Sequence, residues 1–207
     1  MSWFQLDPAS TAHRVRSAGT PLPSLGASVV RGAIGFTLLS VAGFAPWAVT
    51  GRALYHALGE AGMYAVCALV FLALSGPLLH RLLIGPGSLG RFCKVFDIAF
   101  TAYSVAWIIG WMSLRGHVGS LAGLFAGTAV MSVILAAAFD ARASLLKLIA
   151  VLFLANAAGY FIGGVAEANV PGVAGKLLWG VCYGVGFGAG LGYAFHECQS
   201  AARRLLA

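Results

Sequence analysis

A few polar side chains fall inside long apolar runs of this chain, and each is a candidate for function because a polar group is costly to bury in a bilayer. Asp97 stands first. It lies in the run 92–114, with Lys94 three residues earlier on the same helical face. One reading is an intrahelical Lys94–Asp97 pair that eases insertion near the membrane edge. The sharper reading makes Asp97 a cation or proton site at the start of a polar path. Tyr103 and Asn156 lie further along that path, and Glu60 and His117 stand at its other end. Asn156 by itself reads as interhelical glue worth about 1 kcal/mol.

A second group lies between the runs: His56, Glu60, Arg115, His117 and Glu167. His56 and Glu60 are four apart and share a face if the second helix begins early. With His117 they would compose a set of two histidines and one carboxylate, a donor set that suits zinc and related metals. No spacing enforces that set, so no metal is assigned. His80 and His196 fall on one side of the membrane, yet neither carries a haem-binding motif. The sequence names no cofactor. Gly184, Gly186, Gly188 and Gly190 imitate a nucleotide loop, but they sit inside an apolar run with no preceding strand. Neither a Ser–His–Asp order, H-E-x-x-H nor a P-loop is present, so catalysis finds no support. Cys67, Cys93, Cys182 and Cys198 form no C-x-x-C and read as small apolar side chains.

The strongest local pattern is structural. Gly180, Gly184, Gly188 and Gly192 recur every four residues, which places bare backbone along one helical face. Such a face admits another helix at close range. The small-residue run with Ser120, Gly123, Ala126 and Gly127 is the expected partner within the chain, and a second copy is the other.

The elements that would position these residues follow from composition. Of 207 residues, 60% are hydrophobic and 9% charged, more apolar surface than a soluble domain of this length can hide. A spanning helix needs about 20 apolar residues. That length places six spans at 29–49, 61–83, 92–114, 118–138, 145–165 and 176–197. The fold class is therefore an all-α membrane protein, a six-transmembrane-helix bundle over 28–199, with a short interfacial arm at 1–27 and a tail at 200–207. Pro21 and Pro23 separate the arm from the first span, and that span closes at Pro46-Trp47. Pro77 kinks the second near its inner end.

Ten of the thirteen Lys and Arg residues fall on the side of the arm, the second and fourth loops and the tail. Arg52, Arg115 and Lys176 fall opposite. The asymmetry puts both termini in the cytoplasm, and six spans require the termini on one side. The net charge of +7 is thus mainly topology, and its scattered residues leave no nucleic-acid footprint. The first apolar run reads as a retained anchor rather than a cleaved signal. A short likeness between 68–73 and 150–155 is what chance produces in so restricted an alphabet.

Two function classes follow. In one, the bundle is a channel or facilitator for a small solute or ion. In the other, it is an accessory subunit of a larger membrane complex, with the glycine face or the arm docking a neighbour. The expected partners are the lipid bilayer and either further copies of the chain or other membrane subunits, and the expected location is a bacterial inner membrane. The sequence leans to the first class.

Overall fold

The computed structural model describes residues 3–207, so the first two residues of the expected arm lie outside the described residues. Every regular element among them is helical. Helix α1 (Pro8–Ala18) starts where the Asp7 carboxylate accepts from the Ser10 amide at 2.9 Å, and it stops at Gly19 with φ 58°. It buries Thr11, Ala12 and Val15, and packs on the short C-terminal helix α7 (Ser200–Arg204). The arm is thus docked on the chain's own tail.

Helix α2 (Leu25–Leu79) is capped by Ser24, whose hydroxyl accepts from the Ala27 amide at 3.1 Å. Its 55 residues would reach about 80 Å if straight, far beyond a bilayer core of about 30 Å. Gly59 resolves this. With φ 72° and ψ 180° it takes a conformation open to glycine and folds the helix into two antiparallel arms. A β-carbon on Gly35 would meet the Leu78 carbonyl at 2.8 Å, one on Gly43 would strike the Phe71 ring, and Met63 Sδ lies 3.7 Å from one on Gly51. The first arm does not close at Pro46, as expected, but runs on to the Gly59 break. Proline removes a single intrahelical bond, which a packed membrane helix tolerates. The Thr50 hydroxyl donates to the Pro46 carbonyl at 2.9 Å.

Four more long helices follow: α3 (Ser88–Leu114), α4 (Gly116–Ala138), α5 (Leu145–Asn169) and α6 (Gly172–Cys198). Five helices, counting α2 once, are long and apolar enough to cross a membrane. Their outer faces carry large, exposed apolar side chains such as Ile34, Leu69, Ile109, Val133, Leu154 and Ile162. A surface that apolar belongs in lipid. The chain is a multi-pass integral membrane protein.

The helices close a ring, α2 against α6, then α5, α4, α3 and back to α2. Helix α6 shows why. Its Gly180, Gly184, Gly188 and Gly192 lie against residues 28–44 of the first α2 arm, where a β-carbon on Gly184 would come 2.5 Å from Thr37 Cα. Gly186 and Gly190 face α5 instead, with Gly159 Cα 2.7 Å from a β-carbon on Gly186. The expected partner of the glycine face was the α4 run. That run is used elsewhere, because Gly123 and Gly127 receive the Trp107 and Tyr103 backbones of α3.

The two ends of the ring differ. At the end holding both termini, phenylalanines fill the interior: Phe36, Phe92, Phe96, Phe187 and Phe195 are all buried, with Leu39 and Leu79. There Gln199, just past α6, ties that helix to the segment that follows α2, its amide nitrogen donating to Leu82 O at 2.9 Å and its oxygen accepting from the Ile84 amide at 2.8 Å. Arg203 donates to Pro23 O at 2.8 Å. At the other end, where the chain turns at Gly59, Arg115 and Val170, the interior opens.

Candidate functional site

A cavity of about 330 Å³ occupies that open end. It sits at the lower end of the range for organic ligands, about 300–1,000 Å³. Four of the five tryptophans line it. The first α2 arm supplies Trp47 and Phe44, and the second supplies Tyr64, Cys67, Ala68 and Phe71. Helix α3 supplies Trp107 and Trp111, α5 supplies Tyr160 and Glu167, and α6 supplies Trp179 and Tyr183.

Helical spacing builds the wall. Trp107 and Trp111, four apart on α3, stack with centroids 6.0 Å apart, and Trp179 and Tyr183 do the same on α6 at 5.2 Å. Tyr160 bridges these pairs, 6.5 Å from Trp107 and 5.4 Å from Trp179. Phe44 meets Trp179 edge to face at 4.7 Å. Gly163 makes room for this wall, since a β-carbon there would lie 2.8 Å from the Trp179 ring. The Trp107 indole nitrogen is buried and has no hydrogen-bond partner among the described residues.

The floor is polar for one layer. Tyr103 and Tyr183 bring their hydroxyls to 3.2 Å, and the Asn156 amide nitrogen donates to Tyr103 Oη at 2.9 Å. Asn156 is fully buried, and its Oδ1 finds no partner among the described residues. Phe36 and Phe187 pack on the tyrosines from below, and Phe100, which also reaches the cavity, stacks on Tyr103. The cavity therefore ends on two phenols backed by packed phenylalanine rings.

The residues singled out from the sequence are placed as follows. Tyr103 and Asn156 come together at the cavity floor. Asp97 stands apart from them, two turns down α3 and turned toward the second α2 arm, where it accepts from the Ser75 hydroxyl at 3.1 Å. Lys94 does not pair with it. Its ammonium lies 5.8 Å over the Trp3 ring, and the one ion pair among the described residues joins Lys147 to Glu197 at 2.9 Å. His56 and Glu60 do not share a helical face, because the Gly59 break falls between them. His117 lies against Phe161 on α5. Among the described residues no three His, Cys, Asp or Glu side chains gather into a metal-holding group, so the His56–Glu60–His117 set is not assembled. The two histidines weighed for haem each face a serine: His80 Nδ1 lies 2.9 Å from Ser88 Oγ, and His196 Nδ1 lies 3.3 Å from Ser28 Oγ.

Sequence reasoning missed the aromatic wall and Glu167's place in it. The signal was present on α3, where Phe92, Phe96, Phe100, Tyr103, Trp107 and Trp111 recur at intervals of three and four. Six aromatics on one face of one helix mark an interior surface, and the two tryptophans at its end are not only interface anchors. Compared with protein-family models, with curated proteins and with solved structures, the chain matches none.

Proposed function

We propose that the protein is a facilitator for a small organic solute, with six spans, both termini in the cytoplasm and its cavity facing outward. The aromatic cavity inside the helix ring carries this reading. A purely structural bundle would fill that volume with side chains, as the other end of this bundle does. The two antiparallel arms of α2 support the count of six, one span each. The charge asymmetry supports the orientation, since the cavity end carries Arg52, Arg115 and Lys176 and the opposite end the other ten basic residues. A bacterial inner membrane is the location this orientation fits best.

The phenylalanine plug makes a permanently open pore a poor description. Passage would need the Phe36, Phe100 and Phe187 layer to part, which favours a carrier-like cycle over a channel. The alternative, an accessory subunit, loses its main support because the glycine face of α6 is covered by the chain's own α2 arm and the N-terminal arm by its own tail.

Proteoliposomes test the reading with radiolabelled choline, glycerol and succinate, chosen to span the charge classes. Saturable entry of at least one solute, abolished by filling the cavity with Ala68→Trp, is the expected result. Entry of all three at the rate of protein-free liposomes would sink the transport function.

A further inference from the structure

The geometry points to an organic cation, a quaternary or aryl-substituted ammonium, as the ligand of the aromatic cavity. This rests on the reading that the cavity admits a small solute. Ring faces carry a negative quadrupole and attract cations, tryptophan most strongly, and boxes of aromatic rings are the general solution for binding bulky ammonium groups.

The chain already uses its rings this way. The Lys176 ammonium sits 4.6 Å over Trp47, and the Arg115 guanidinium sits 4.7 Å over Trp111. Both cations lie at the rim, and neither lines the cavity. Among the lining residues only Glu167 is charged. Its carboxylate has no ion-pair partner among the described residues, where the single pair is Lys147–Glu197. An aromatic box whose single charged lining residue is a carboxylate without an ion-pair partner among the described residues is complementary to a positive ligand. A bulky ammonium is also the cation that such a site can take most readily from water, because its charge is spread over alkyl groups and weakly hydrated.

The test uses benzyltrimethylammonium and its uncharged carbon isostere, 2,2-dimethylpropylbenzene, each at known free concentration over the purified full-length protein. Tryptophan fluorescence reports binding, because four of the five tryptophans line the cavity. The cation should bind about tenfold or more tighter than its isostere. Glu167→Gln should weaken the cation by roughly five- to tenfold and leave the isostere unchanged, while Glu167→Asp keeps the preference for charge. Equal or tighter binding of the isostere would overturn the cation assignment and leave the solute cavity standing. Absence of a saturable signal with either compound would overturn both, since the cavity would then admit neither form of a molecule shaped to fit it.

Discussion

Gly184→Ala isolates what holds the ring together. In a helix, replacing glycine by alanine ordinarily stabilises by about 1 kcal/mol through backbone propensity. At Gly184 the new methyl would lie 2.5 Å from Thr37 Cα and 3.1 Å from both Thr37 N and Oγ1. Two of these neighbours are backbone and cannot rotate away. The first α2 arm must therefore part from α6 by about 1 Å, forfeiting dispersion contacts along the shared face. Overpacking of this kind costs about 1–3 kcal/mol, more than the propensity gain. Gly164→Ala on α5 is the matched control, because nothing lies within 4 Å of a β-carbon there. Thermal unfolding in a mild detergent reads both variants. Gly184→Ala should lower Tm by several degrees, at about 2–4 °C per kcal/mol for a chain of this size, and Gly164→Ala should leave it unchanged or raise it. If Gly184→Ala is as stable as Gly164→Ala, the close α2–α6 contact is wrong.

Two further outcomes follow from particular side chains. Tyr103→Phe removes the acceptor of the Asn156 amide and leaves a buried N–H unpaired at a cost of about 1–3 kcal/mol. The double variant Tyr103→Phe/Asn156→Leu should therefore unfold at a higher temperature than the Tyr103→Phe single, and the reverse order would show that the bond is not made. At the arm, the Ser10 amide donates to the Asp7 carboxylate and holds its pKa below the ordinary 3.8. A depressed folded-state pKa means the cap stabilises α1 above the ordinary carboxylate range and fades as pH falls through the lowered value. Hydrogen exchange over residues 8–18 should show Asp7→Ala losing about 1 kcal/mol of protection at pH 7, with the difference from wild type closing in strong acid. A difference that persists unchanged in acid would mean that the carboxylate is not the cap.

Much of the helical framework is legible in the sequence because hydropathy and length act locally. The runs 92–114, 118–138, 145–165 and 176–197 each fall within one helix, and only the ends differ. The first arm misleads for a physical reason: past residue 49 the chain turns polar, yet nothing stops the helix until Gly59. Partner choice is not local. Glycines at 180, 184, 188 and 192 announce a close contact, but the 28–44 arm and the α4 run both offer small residues, and only the assembled ring decides between them. Asp97 drew attention as a lone acid in an apolar run, and what the sequence could not show is that it stands at the α2–α3 interface, away from Tyr103 and Asn156, accepting from the Ser75 hydroxyl. The cavity escaped because it is made of residues that look at home in lipid. Tryptophans near a membrane edge read as belts, and only their convergence from α2, α3 and α6 around an empty volume turns them into a site.

The central claim is that this volume faces outward and is reachable. Ala68, on the second α2 arm, lines the cavity. A single cysteine at that position, with Cys67, Cys93, Cys182 and Cys198 replaced by serine, can be challenged with a membrane-impermeant thiol reagent in right-side-out and inverted vesicles. Labelling from the outer face alone is the predicted result. Labelling from the cytoplasmic face, or none from either, would contradict an outward-facing cavity.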